Sequence, residues 1–183
     1  MGRIDDTIAV YERLCKKKFK ISVENGIVFY LVFERSRFHH LVGYQHLTDI
    51  VDISAPIYSK ARFYRRLKNR KITEEDITKS AHFDYIAERI QFFAYIEEIV
   101  GASDCKIIVE FDSAKAQSDI EAKFFLYKRC GNPLNKEPVT YYALFIGYDD
   151  SNNTYYPATY IVEHSKKYVD NQIMLNCTIE VVD

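Results

Sequence analysis

The spacing of apolar positions changes near residue 105, from a helical period before it to alternation after it. Ile4, Ile8, Tyr11 and Cys15 fall on one helical stripe with Leu14 beside it, and Asp5 and Asp6 stand in the first turn, where acids are favoured. The pattern predicts a first helix over 4–17, ending at Lys16-Lys17-Lys18. Residues 19–23 and 27–33 read as strands about a Glu24-Asn25-Gly26 turn, because Asn-Gly between apolar runs signals a hairpin. Further helices are predicted over 37–50, from Ser54-Ala55-Pro56 onward, at a Thr73 cap, and over 83–100 with Gly101 as its stop. Strands follow at 106–111, 120–128, 139–148, 158–162 and 174–182, with a helical turn at 166–172. The fold class read from this is α+β: N-terminal helices with a small β-hairpin, then an antiparallel β-meander.

Composition narrows the classes. A chain of 183 residues, 48% hydrophobic and 28% charged, has material for one domain spanning 1–183 and a genuine core. No apolar run is long enough to cross a membrane, and the charged N-terminus lacks a signal-peptide centre. A cytoplasmic location and no membrane partner are expected. Cys15, Cys105, Cys130 and Cys177 are widely spaced with no C-x-x-C, which points to reduced thiols rather than a zinc or disulfide scaffold.

The net charge of −1 hides an asymmetry. Residues 1–71 carry 15 Lys and Arg against 7 Asp and Glu, and the remainder carries 10 against 19. A basic face and an acidic face are expected if the halves do not interleave. The basic residues concentrate at Lys60, Arg62, Arg65, Arg66, Lys68, Arg70 and Lys71, interrupted by Phe63, Tyr64 and Leu67 at helical spacing. Such a helix serves either as a phosphate-contacting arm or as a solvated face that offsets Glu74, Glu75 and Asp76.

Candidate chemistry gathers between Arg37 and His46, where His39, His40 and His46 sit beside Arg35 and Arg37. Histidine suits proton transfer near neutral pH, and a helix start offers free N–H groups to an anion. Phe38, Leu41, Val42 and Leu47 recur at helical spacing, so part of the stretch is core. Adjacent positions on a helix point about 100° apart, so His39 and His40 do not both serve, and His46 does not share His40's face. Arg89, among apolar positions, is either an anchor for an anion or a snorkelling surface residue. Asp112, Asp119, Glu121 and the histidines supply metal-ligand types, which leaves a metal-dependent hydrolase as a weaker alternative, but they stand in no recognisable spacing, and no metal or other cofactor is expected.

The chain resembles the phage-encoded barnase–EndoU–colicin–RelE-like nuclease families, in particular the group of phage and mobile-element proteins marked by F-x-H-L-x-G. That motif reads here Phe38-His39-His40-Leu41-Val42-Gly43 and is followed by Leu47. The resemblance runs on through Ile86, Arg89 and Ile90, then Phe111, the set Ser118, Ile120, Ala122 and Phe124, the turn Tyr156-Pro157-x-Thr159, and Tyr168 and Gln172. It implies a barnase/RelE-like fold and metal-independent RNA cleavage through 2′-hydroxyl attack, in the manner of a toxin. The motif histidine His40 is the expected acid or base. Arg89 and Lys123 are expected to steady the phosphate, and Thr159, Tyr168 and Gln172 to hydrogen-bond it or orient a base. Arg37, Arg62, Arg65, Arg66, Lys68 and Arg70 are the expected RNA contacts. RNA, including structured RNA such as tRNA, is the expected partner, with an antidote or host protein as a further one. The rival expectation is a non-catalytic accessory or anti-defence module of the same fold that binds nucleic acid or protein.

Overall fold

A computed structural model describes residues 4–55, 60–102, 105–131 and 138–182. The first helix, α1 (Ile4–Leu14), buries the stripe read from sequence together with Thr7 and Val10. It stops at Leu14, short of the lysines. Strands β1 (Lys18–Val23) and β2 (Val28–Val32) form the expected hairpin. Gly26 takes φ +92 in its turn, a conformation open to glycine.

The predicted helix over 37–50 does not form as one piece. A 3₁₀ turn (Arg35–Arg37) leads into α2 (Phe38–Val42), and a second 3₁₀ turn (Tyr44–His46) follows Gly43. Next come α3 (Val51–Ser54), α4 (Lys60–Lys68), α5 (Glu74–Thr78), α6 (Asp84–Gln91) and α7 (Tyr95–Val100). Ser54 ends a helical turn rather than capping a helix, and Pro56 lies outside the described residues. At α5 the Thr73 cap is as read: its Oγ1 accepts from the Asp76 N–H, and Asp76 accepts from the Thr73 N–H.

The long helix expected over 83–100 is broken at Phe92. Tyr160 donates its hydroxyl to the Phe92 carbonyl at 2.7 Å, and the Tyr95 N–H turns to the same carbonyl in a tighter i→i+3 bond. A tertiary hydrogen bond has therefore competed with the helix ladder.

Strands β3 (Cys105–Val109), β4 (Phe124–Cys130), β5 (Thr140–Asp149) and β6 (Thr154–Glu163) make the expected antiparallel meander. The sheet then goes beyond the expectation. Strand β7 (Ile173–Val182) returns between β3 and β1, and β2 meets β6 in parallel at Leu31 and Tyr155. The seven strands close in the order β1-β2-β6-β5-β4-β3-β7. The hairpin is thus part of the main sheet, and closure removes exposed strand edges.

Strand β5 is buried on both faces, which explains its unbroken apolar run. Tyr142, Leu144 and Ile146 join the helix-side core, whereas Ala143 and Phe145 pack with Phe111, Ala116 and Tyr168 on the other side. Pro157 sits in β6 at a bulge: pairing passes from Phe145↔Thr159 to Ile146↔Pro157 and leaves Ala158 over. The bulge lets Pro157 and Tyr160 both be buried though three positions apart.

The two halves of the charge distribution interleave. Arg13 pairs with Glu97, Lys20 with Glu180 and Arg37 with Asp149. The basic first half and acidic second half are therefore not separate faces. Cys177 is buried and Cys15, Cys105 and Cys130 are partly buried, with the Cys105 and Cys177 Sγ atoms 2.7 Å apart.

The helix layer is organised by Tyr11, which is fully buried against Phe38 (4.9 Å between ring centroids), Phe33, Tyr64 and Phe93, and donates its hydroxyl to the Glu34 carbonyl at 2.6 Å. Replacing Tyr11 by Phe is expected to cost about 1 kcal/mol, the hydrogen bond alone, and by Ala roughly 3–5 kcal/mol, in urea denaturation. Equal losses would show that ring packing carries nothing.

Candidate active site

The site begins with the helix that Gly43 ends. Phe38, Leu41 and Val42 anchor α2 in the core. Gly43 then takes φ +95, ψ 22, and its N–H closes on the His39 carbonyl at 3.2 Å. A side chain is disfavoured there on two counts, and Arg89 would have to shift to admit one. The left-handed conformation disfavours one, and a Cβ would lie 2.7 Å from Arg89 Nη1 and 3.1 Å from the Ile86 side chain. The guanidinium of α6 thus lies on the bare glycine of the motif.

His39 and His40 part company as their helical offset requires. His39 is buried, packs edge-on against Phe63 at 4.9 Å, and has Nε2 2.5 Å from the Ile53 carbonyl. That carbonyl can only accept, so Nε2 carries the hydrogen and Nδ1 is bare, buried and without a partner. Burial brings its pKa down to about 4. His39 is a neutral packing residue. His40 is partly exposed, and its Nε2 receives the Lys60 ammonium from the start of α4. Burial, then the Lys60 charge, with Arg37 and His46 adding to it, holds the imidazole below its ordinary pKa, and the Gln45 amide offsets part of this.

The turn after Gly43 brings His46 to the same place. Gln45 lies between the rings, its Nε2 3.4 Å from His46 Nε2. Burial and then the Arg89 charge lower the pKa of His46. Arg89 itself reaches Thr159 Oγ1 at 3.4 Å, and Tyr168 acts against the depression that burial imposes on its pKa. Among the described residues no carboxylate stands within ion-pair distance of Arg89. An arginine stays cationic in a protein, so this is a partly buried positive charge without a carboxylate partner among the described residues.

The structure therefore groups Arg89 with Thr159, Tyr168 and His46, and joins His46 through Gln45 to His40 and Lys60; Lys60, Gln45 and His46 are residues the sequence pattern does not assign to the site. Gly43 was the signal for His46: a glycine after five helical residues marks a stop, not a continuing helix. Lys123 lies elsewhere, in a cleft of about 350 Å³ with Phe111, Tyr148 and Tyr156. Tyr156 carries the Arg37 guanidinium 3.7 Å above its ring, and Gly147 leaves room for that ring on the neighbouring strand. Gln172 is engaged in structure: it accepts from the Asp112 N–H and donates to the Asp112 carbonyl, at 3.0 and 2.9 Å.

On α4, Arg62 and Arg65 are exposed and Arg66 partly so, while Lys68 pairs with Glu12 and Arg70 with Asp5. Among the described residues no three His, Cys, Asp or Glu side chains converge as a metal site would require.

A family model for phage-Barnase-EndoU-ColicinE5/D-RelE like nuclease 4 matches residues 3–182, nearly the whole chain. The protein belongs to that family. The motif resemblance and the α+β fold thus have one source, a nuclease-like family to which nucleic acid is the natural substrate class. No curated protein and no solved structure matches the chain. No helix among the described residues of this family member is long and apolar enough to cross a membrane.

The buried neutral His39 makes stability depend on pH with a definite sign. The unfolded chain takes up a proton near 6.5 and the folded one near 4, so stability is full above that window and falls by roughly 3 kcal/mol as pH drops across it. Urea midpoints of the wild type and His39→Gln between pH 7 and 5 check this. The variant is expected to lose most of the slope, and parallel curves would contradict the assignment.

Proposed function

We propose that this protein is a metal-independent ribonuclease that cleaves RNA by internal attack of the ribose 2′-hydroxyl. One observation carries the reading: the partly enclosed Arg89 guanidinium has no described carboxylate partner, and Thr159, Tyr168 and a histidine stand around it. A scissile phosphate supplies the missing anion. Arg89 takes its non-bridging oxygens, and the Thr159 and Tyr168 hydroxyls add donors as charge develops on phosphorus.

His40 is the general base. Burial and then the Lys60 charge favour the unprotonated ring, the form that removal of the 2′-hydroxyl proton requires. As the phosphate enters, the ammonium turns from the imidazole to the phosphate oxygens and frees the ring nitrogen. The products are a 2′,3′-cyclic phosphate and a 5′-hydroxyl. Arg37 and the outward Arg62, Arg65 and Arg66 contact flanking phosphates, joined by Lys68 and Arg70 where RNA displaces their carboxylates. Lys123 meets the strand in the Tyr156 cleft. Structured RNA such as tRNA in a host cell fits a phage or mobile-element protein of this kind.

Incubation of labelled RNA with the protein in excess chelator is expected to yield cyclic-phosphate ends. His40→Ala is expected to lower the rate by at least about 10²-fold with an unchanged melting temperature. Binding without cleavage would favour a non-catalytic module of the family, and cleavage restored only by added divalent ion would favour a metal-dependent enzyme. Replacing Arg62, Arg65 and Arg66 together by Gln is expected to weaken RNA binding and flatten its salt dependence, by roughly 0.7 in log–log slope for each single-strand phosphate that is no longer neutralised. An unchanged slope would remove α4 from the interface.

A further inference from the structure

His46 lies six positions beyond His40, and on an unbroken helix it would point about 240° away. The Gly43 turn changes this. The Tyr44–His46 turn restarts the chain with its own i→i+3 bonds, His46 N–H to Gly43 and Leu47 N–H to Tyr44, at 2.9 and 3.1 Å. Buried Tyr44 and Leu47 pin the turn against α6, and His46 stays exposed above it. Gln45 spaces the two rings, and Arg89 lies on the glycine from which the turn springs. His46 thus stands beside the guanidinium, and His40 stands beside His46.

We propose that His46 is the general acid of the reaction, protonating the leaving 5′-oxygen while His40 takes the 2′-hydroxyl proton. This rests on the ribonuclease reading given above. The 2′-oxygen bonds to phosphorus and its proton passes to His40. The P–O5′ bond breaks, and its electron pair takes the proton of His46. His40 ends protonated and His46 neutral, and exchange with water resets both.

The division of labour follows from the neighbours. His40 carries an ammonium on its ring nitrogen, which opposes the protonated form an acid needs. At His46 Nε2 the Gln45 amide nitrogen donates to the ring without bringing a full positive charge to it. A phosphate seated on Arg89 cancels the cation that faces His46 and adds negative charge beside the ring, so binding of substrate itself loads the acid with its proton.

Leaving-group chemistry tests this directly. An RNA 5′-alkoxide needs a proton to depart, and a 4-nitrophenolate does not. The probes are an oligoribonucleotide and nucleoside 3′-(4-nitrophenyl phosphate)s bearing each of the four bases. His46→Ala is expected to slow RNA cleavage by about 10²-fold or more and to leave aryl ester cleavage within a few-fold of the wild type. His40→Ala is expected to slow both. His46→Gln, which keeps a polar side chain at the position, repeats the comparison should the alanine variant melt early. Equal losses on both substrates, or no loss on either, overturn the role of His46 and leave the ribonuclease reading standing. A wild type inert toward RNA and aryl esters alike overturns that reading, and this one with it.

Discussion

The close approach of Arg89 to Gly43 is the constraint on which the rest of the site depends. A guanidinium nitrogen occupies the space a Cβ would need, and the glycine adopts a backbone conformation that side chains resist. Three consequences follow from one missing side chain. Helix α2 ends after five residues, the chain turns back on itself, and a cation is held at the inner wall of the turn.

Charge is handled differently at the site and around it. Glu12 collects Arg35, Lys68 and the Tyr64 hydroxyl, and its carboxyl falls to about 2, first through Arg35. Arg70 meets Asp5 and Arg13 meets Glu97. These pairs satisfy their charges internally and are exposed enough for solvent to share the work, so each adds little to stability. Arg89 has Thr159 and the influence of Tyr168 in place of a carboxylate. This partly enclosed cation therefore differs from Arg13, Arg35 and Arg70, each of which meets a carboxylate.

The frame around that feature is rigid for ordinary reasons. Tyr11, Phe38, Tyr64 and Phe93 interlock at edge-on and tilted angles, so α2 is seated by packing and not by its own few hydrogen bonds. On the sheet side, the bulge at Ala158 sets the phase of β6. Tyr160 turns inward to hold the Phe92 carbonyl, and Thr159 is left on the other face for Arg89. The break between α6 and α7 and the placement of Thr159 are therefore two results of one irregular strand.

Local pattern determined much of this protein. The α1 stripe, the Asn25-Gly26 hairpin, the Thr73 cap, the meander and the resemblance carried by Phe38, His40, Leu41 and Gly43 depend on residues near one another in the chain, where spacing and turn chemistry act directly. Tertiary structure alone decided the closing of the sheet through β7, the interleaving of the two charged halves and the break at Phe92. Each needs a partner some 70 residues or more away, and no local period encodes it. The same holds for the site. Spacing along a presumed helix set His46 apart from His40 and could not tell a packing histidine from an exposed one. What separated His39 from His40 was the Ile53 carbonyl on one side and the Lys60 ammonium on the other. Arg89 gained its character from the glycine it lies upon, because the electrostatics of a side chain belong to its surroundings, and only folding assembles those.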